Sequence, residues 1–268
     1  MAGSRRRLDA ELVRRSLARS REQARELIES GRVRVDGSVA TKAATQVDTA
    51  AAVVVSAEES DGYVSRGAHK LIGALDAFGP RGLQVSGRRC LDAGASTGGF
   101  TQVLLQRGAA HVLAVDVGYG QLAWAVRSDP RVTAYDRTNV RELAPADLPY
   151  APDLVVADLS FISLALVLPA LVACAAPDAD LLLMVKPQFE VGRDLVGAGG
   201  VVRDPGLRAA AVRRIADEAE RLGLGTAGVV ASPLPGPRGN VEYFLWLRRD
   251  APPPDPEDVA RAVDEGPA

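Results

Sequence analysis

From about Leu83 onward, short apolar runs alternate with stretches long enough to form crossover helices. No other feature narrows the possible folds so far. The runs are Arg89–Ala93, His111–Val117, Val132–Asp136, Asp153–Ala157, Asp180–Val185, Gly225–Ala231 and Val241–Leu247. A parallel pair of strands needs a crossover of about a dozen residues, usually a helix. The rhythm therefore predicts an α/β fold of Rossmann-like type, a seven-stranded, mostly parallel sheet covered on both faces. In open sheets of this kind ligands lie outside the carboxyl ends of the strands, so the residues that end each strand are the first candidates for chemistry.

The first strand runs into Leu91-Asp-Ala-Gly-Ala-Ser-Thr-Gly-Gly-Phe100. Gly94, Gly98 and Gly99 let the backbone turn sharply and approach a ligand closely, with Ala95, Ser96 and Thr97 between them. This is not the G-x-G-x-x-G pattern, and Asp92 stands two places before the first glycine. A pyrophosphate would be repelled there, whereas a cationic, phosphate-free ligand such as S-adenosylmethionine suits the loop. Asp116, followed by Val117, ends the second strand 22 residues after Gly94. That is where nucleotide-binding α/β folds carry a ribose-binding carboxylate. Asp136 ends the third strand, in position to face an adenine. Asp92 to Gly99, Asp116, Val117 and Asp136 form the candidate cofactor site.

The fourth strand ends at Asp158 and the fifth at Lys186, where Pro187 forces its neighbour out of helical geometry. Lysine is scarce: of 32 basic residues only Lys42, Lys70 and Lys186 are lysine. Arg cannot give up its proton in a protein, whereas Lys can, so a lysine retained against this bias is a candidate for proton transfer. Glu242 starts the last strand, after Pro-Leu-Pro-Gly-Pro-Arg-Gly-Asn.

The first 60 residues read as a separate α+β unit. Asp9 is expected to cap a first helix with Leu12, Val13 and Leu17 on its apolar side. Ser20-Arg-Glu-Gln23 is a capping box, Gly31 stops the second helix, and Arg32-Val-Arg-Val35 is a strand leading into an Asp36-Gly37 turn. Residues 1–42 carry 11 basic and 6 acidic residues, against 21 and 28 in the remainder. A basic head on an acidic body points to a polyanionic partner. Residues 61–64 read as a linker, 65–250 as the α/β domain, and 251–268, Pro-rich and acidic, as a flexible tail.

Two cysteines exclude a disulfide framework, and no His/Cys cluster has metal-ligand spacing, so no metal is expected. The basic N-terminus lacks the apolar segment of a signal peptide. The longest apolar run, Phe161 to Ala176, is shorter than the roughly 18 residues that suggest a spanning helix and reads as a buried helix. A cytoplasmic monomer, with no membrane contact, is the expectation.

Together these segments resemble known families. Asp92–Gly99, Asp116, Ala157-Asp158-Leu159-Ser160, Val185-Lys186-Pro187 and Val241-Glu242 are similar to the motifs of FtsJ-type ribose 2′-O-methyltransferases. The Lys-Asp-Lys-Glu tetrad of that family falls on Lys70, Asp158, Lys186 and Glu242. The resemblance implies that Lys186 is the base, that Asp158 and Glu242 orient the lysines, and that Lys70 positions the ribose. It also implies an antiparallel last strand beside the fifth. The head resembles the S4-type RNA-binding domain, which implies that Arg5, Arg7, Arg19 and Arg21 contact RNA. Over residues 5–250 the arrangement, with Ser65-Arg-Gly-Ala-His-Lys70 after the linker, resembles the TlyA family. This resemblance implies S-adenosylmethionine-dependent methylation of cytidine 2′-hydroxyls in 16S and 23S ribosomal RNA, with ribosomal subunits as partners. Members of that family also carry a hemolysin label, and the alternatives are a membrane-active hemolysin or a small-molecule methyltransferase.

Overall fold

The computed structural model describes residues 5–18, 20–29, 31–55 and 62–267. The chain divides into the units Met1–Gly62 and Tyr63–Ala268. In the first, β1 (Arg5–Arg7) leads directly into α1 (Leu8–Arg14). Then come α2 (Arg21–Glu29), β2 (Val33–Val35), β3 (Ser38–Val39), β4 (Gln46–Asp48) and β5 (Val53–Val55). β1 pairs with β4, and β2 lies between β3 and β5, all antiparallel. Leu8, Leu12, Ala24, Leu27, Ile28, Val33 and Val47 form its core. Asp36 and Gly37 have φ of +48° and +83° and join Val35 to Ser38. These are the two positive values that a type I′ hairpin turn requires.

Two local expectations about the head need correction. Asp9 does not cap α1. It lies inside the first turn, where Arg7 occupies the cap position without a side-chain bond, and the Asp9 carboxylate is buried against arginines. Leu17 is exposed, because the chain has left the helix by Ser16, whose φ is +59°. Ser20 behaves as read: its Oγ accepts the Gln23 N–H at 3.1 Å. Arg19 and residue 61 of the expected linker lie outside the described residues.

The second unit contains α3 (Gly67–Phe78), β6 (Arg89–Ala93), α4 (Gly99–Gln106), β7 (His111–Val115), α5 (Trp124–Arg127), β8 (Val132–Tyr135) and β9 (Leu154–Ala157). It continues with α6 (Leu164–Cys174), β10 (Asp180–Val185), α7 (Pro187–Glu190), α8 (Pro205–Arg221), β11 (Gly225–Ala231), β12 (Tyr243–Arg248) and α9 (Pro256–Asp264). The sheet order is β11-β12-β10-β9-β6-β7-β8. β12 is antiparallel to both neighbours, and the other pairings are parallel. Alternate residues face opposite sides, as the pleat demands. Cys90, Val112, Val156, Leu182 and Phe244 pack with α3, α4 and α5. Leu91, Leu113, Val155, Leu183 and Leu245 pack with α6, α8 and α9. The seven strands thus form the middle layer of three.

The C-terminal segment departs from its reading as a flexible tail. Asp255 accepts the Glu257 N–H, Pro256 opens α9, and Val259, Ala262 and Val263 are buried on one face. The Thr226 N–H also donates to the Pro252 carbonyl, which ties residues 251–255 to β11. Three small apolar residues at helical spacing suffice to dock this helix, and the surrounding Pro, Asp and Glu masked them in the sequence. α6 is also less buried than its composition suggested. Leu164, Val167, Leu168 and Leu171 face the core while Leu166 is exposed.

Candidate active site

Strand register brings the strand-end residues to one rim. Ala93 pairs with Ala157, Ala157 with Leu183, and Val185 with Tyr243 across the antiparallel partner. Asp158, Lys186 and Glu242 each lie one residue beyond these pairs, so antiparallel β12 delivers the start of its strand to the carboxyl ends of β9 and β10. Lys70 arrives from the first turn of α3 on a buried face.

Lys70 Nζ lies 2.6 Å from Glu242 Oε2 and 3.7 Å from Asp158 Oδ2. Lys186 Nζ lies 2.6 Å from Asp158 Oδ1 and donates to Ser160 Oγ at 2.9 Å. The four residues therefore alternate between lysine and carboxylate, with Asp158 shared between the two lysines. Burial opposes a charge on Asp158, but Lys186 and Lys70 together hold its carboxyl down to about 2. Burial likewise opposes the charge on Lys70. The carboxylates of Asp158 and Glu242 outweigh it and raise its pKa, so Lys70 is held as ammonium.

Glycines make room for this geometry. A Cβ on Gly236, in the loop before β12, would fall 2.1 Å from Glu242 Oε1, so that backbone lies directly on the carboxylate. A Cβ on Gly99, at the start of α4, would fall 2.2 Å from Ser65 Oγ and 3.0 Å from the Ala68 backbone nitrogen. Without the missing methyl, the first turn of α3 can approach α4 closely enough to carry Lys70 inward.

The glycine loop between β6 and α4 bends through positive φ at Gly94 (+89°), Ser96 (+47°) and Gly98 (+99°). A Cβ on Gly94 would meet the Asp158 carbonyl at 2.8 Å, so the cofactor loop and the tetrad share a wall. Asp116 follows β7, and its two oxygens accept the backbone N–H groups of Ser96 (2.8 Å) and Gly118 (2.7 Å). Val117 beside it is exposed. Asp136 pairs with Arg127 at 2.9 Å. Asp92 departs from the expectation of an open anionic group facing a ligand. It points to the α4 side of the sheet, is fully buried, and accepts the Thr101 hydroxyl at 2.6 Å. Burial pushes its carboxyl up to about 7, and its Oδ1 has no hydrogen-bond partner in the protein.

In the head, one buried carboxylate gathers a set of arginines. Asp9 accepts from Arg7 (3.0 Å) and Arg21 (2.9 Å), with Arg25 at 3.7 Å. The bond from Arg7 is the largest effect holding Asp9 at about 2. Arg7 and Arg21 remain about half exposed, and Arg5 is exposed on β1. Sequence reasoning read Asp9 only as a cap. It also assigned no role to Ser160, Ser65, Thr101 or Gly236. These residues sit within or beside the quoted motifs, but only their tertiary neighbours reveal what they touch.

Among the described residues, no helix is long and apolar enough to cross a membrane and no acidic, His or Cys group could hold a metal. An α/β sheet with a glycine loop and a Lys-Asp-Lys-Glu cluster on one rim defines a class of methyltransferase. Residues 63–249 match the FtsJ-like methyltransferase family and residues 6–53 match the S4 domain. The "16S/23S rRNA (cytidine-2'-O)-methyltransferase TlyA" of Mycobacterium tuberculosis is 62% identical over 97% of this chain and 98% of its own. "Hemolysin A" of Brachyspira hyodysenteriae is 35% identical over 89% of this chain and 98% of its own. A solved structure of a hemolysin-titled protein from Streptococcus thermophilus aligns with a TM-score of 0.75 at 36% identity. It covers 98% of this chain and 96% of that one. This chain belongs to the TlyA family of FtsJ-like methyltransferases.

Proposed function

We propose that this protein methylates the 2′-hydroxyl of cytidine in 16S ribosomal RNA, 23S ribosomal RNA or both, with S-adenosylmethionine as donor. The observation that carries the reading is the convergence of Lys70, Asp158, Lys186 and Glu242 beside the glycine loop. The relative from Mycobacterium tuberculosis supports the substrate. Ribosomal subunits as substrate would place the protein in the cytoplasm.

The residues of the loop fit such a donor. The positive φ angles at Gly94, Ser96 and Gly98 fold the loop so that Gly94, Ser96 and Thr97 stay partly exposed, and the charged side chains lining that rim include Asp116 and Asp136. A carboxylate-lined site suits a cation and disfavours a pyrophosphate. Residues 94–99, Asp116, Val117 and Asp136 would hold the donor, while Asp92 shapes the loop from below. When bound, S-adenosylmethionine supplies an electrophilic methyl group.

A ribose hydroxyl is a weak nucleophile and must lose its proton as it reacts. Lys186 takes that proton as general base, and Asp158, 2.6 Å away, compensates the charge that Lys186 then carries. Lys70, held as ammonium by Glu242 and Asp158, donates hydrogen bonds that position the ribose. A general base contributes roughly 10²- to 10⁴-fold, and alignment supplies much of the rest. In the head, the exposed edges of Arg5, Arg7 and Arg21 meet RNA phosphates, which dominate affinity in such complexes.

The test is transfer of labelled methyl groups to intact ribosomal subunits, with the modified position mapped by cleavage resistance at 2′-O-methylated ribose. Methylation at a base atom, or of small molecules only, would refute the reading.

A further inference from the structure

Lys186 must not only be present but aimed. Its Nζ has three positions around it besides the bond to its own side chain. Ser160 Oγ accepts in one of them at 2.9 Å, while Asp158 Oδ1 is an ion-pair partner at 2.6 Å outside hydrogen-bond geometry. The other charged groups at this rim are Lys70 from α3 and Glu242 from the start of β12. They are engaged with each other at 2.6 Å. A neutral amine has two N–H bonds and one lone pair, and a carboxylate can only accept.

Resting on the proposed base role of Lys186, we infer that Ser160 is a positioning residue. It accepts one N–H of the amine, which fixes the rotation of Nζ beside Asp158 and leaves the lone pair free to face the ribose hydroxyl. The proton then passes from the ribose oxygen to Nζ. The O–H electron pair stays on oxygen for its new bond to the methyl carbon, the carbon–sulfur bond of S-adenosylmethionine breaks with its electron pair going to sulfur, and the third N–H of the ammonium forms where the lone pair stood.

The local backbone supports this role. Ser160 is exposed whereas Lys186 is buried at 5%, so packing alone does not require a hydroxyl at 160. The next residue, Phe161, has φ of +64°, an uncommon conformation for a bulky side chain that persists only where surrounding structure enforces it. The residues that follow it are anchored to the segment after Lys186. Ser163 Oγ donates to Glu190 Oε2 at 2.5 Å, and the Leu164 N–H donates to Glu190 Oε1 at 2.8 Å. Glu190 lies four residues beyond Lys186, at the end of α7. The segment carrying Asp158 and Ser160 is thereby tied to the segment carrying Lys186, with the positive φ of Phe161 between Ser160 and that anchor.

The full-length protein tests this with Ser160→Ala, Ser160→Thr and, as reference, Lys186→Ala, each assayed on intact ribosomal subunits. Ser160→Ala should lower kcat about 10-fold, a part of what a general base supplies. KM for S-adenosylmethionine and for the subunit should stay within about twofold, with thermal stability unchanged. Ser160→Thr keeps the acceptor and should recover most of kcat. The hydroxyl could instead donate into the lone pair and idle the base, in which case Ser160→Ala would be faster. Unchanged or higher kcat in Ser160→Ala, a change confined to KM, or an equal loss in Ser160→Thr overturns the inference. If Lys186→Ala is inactive while Ser160→Ala is unaffected, only the role of Ser160 falls. If Lys186→Ala keeps full activity, the base role falls and takes this inference with it.

Discussion

Lys70 Nζ and Glu242 Oε2 meet at 2.6 Å across 172 residues of chain, joining α3 to the start of β12 with neither side chain appreciably exposed. The pair closes one side of the rim and sets Lys70 3.7 Å from the second oxygen of Asp158. A buried pair of this kind is weak evidence for net stability, but breaking it leaves a buried charge without compensation, at a cost of about 3–5 kcal/mol.

We therefore expect Lys70→Met and Glu242→Gln each to lower unfolding stability, and the double variant to lose less than the sum. Interaction free energies between contacting residues typically reach about 0.5–3 kcal/mol, and we expect this pair near the top of that range. A double-mutant cycle by denaturant unfolding measures it. Additive losses would mean that the two side chains do not form the pair in solution. Methyl transfer should fall in all three variants.

Replacing Lys186 with Ala should reduce kcat by roughly 10²- to 10⁴-fold, the contribution of a general base. Lys186→Arg should be nearly as inactive, because guanidinium keeps its proton. Calorimetric titration should show S-adenosylmethionine affinity little changed in both. An active Lys186→Arg enzyme would mean that charge, not proton acceptance, is what position 186 supplies.

Asp92 and Asp158 should give opposite pH dependences. Asp158 is held at about 2, below the ordinary value of about 3.9. Its contribution to stability is present above about pH 4 and is lost as the pH falls toward 2. Asp92 is pushed up to about 7 by burial. Between about pH 4 and 7 the folded chain keeps a proton that the unfolded chain releases, so stability falls as pH rises through that window. Asp92→Asn should thus gain stability relative to the wild type from pH 5 to pH 8. Both tryptophans, Trp124 and Trp246, lie in the Tyr63–Ala268 unit, so their fluorescence reports its unfolding. A difference independent of pH would contradict the raised carboxyl.

Gly99→Ala should destabilise the methyltransferase unit by about 1–3 kcal/mol through overpacking, because the new methyl falls on Ser65 Oγ and the Ala68 nitrogen. Adding Ser65→Ala removes the nearer obstacle but not the backbone one, so recovery should be partial. Thermal unfolding of the single and double variants decides this, and complete recovery would show that α3 moves freely against α4.

The seven strands, the Asp-Gly hairpin and the Ser20 cap were legible because each rests on local chemistry: apolar periodicity, paired positive φ angles, and a hydroxyl three residues from a free N–H. The strand-end positions of Asp158 and Lys186 were legible for the same reason. α9 was not, since Val259, Ala262 and Val263 become a face only when β11 and α8 offer a surface to receive them. The one-sided burial of α6 was hidden too, because an apolar residue such as Leu166 looks the same whether it is covered or not. Asp9 was misread because a cap and a buried arginine acceptor share the same residue type at nearly the same place.

By itself, then, the sequence determined the layered α/β body, the basic head, the bend of the glycine loop and which side chains could accept or hold a proton. These follow from covalent geometry, side-chain chemistry and periodicity, which act over a few residues. Tertiary structure alone decided which charges meet. It set Lys70 against Glu242, Lys186 between Asp158 and Ser160, and Asp92 beneath α4 rather than open to a ligand. Those distances depend on register across four strands and on the close approach that Gly99 and Gly236 permit, and register between distant segments is settled only when the whole sheet packs.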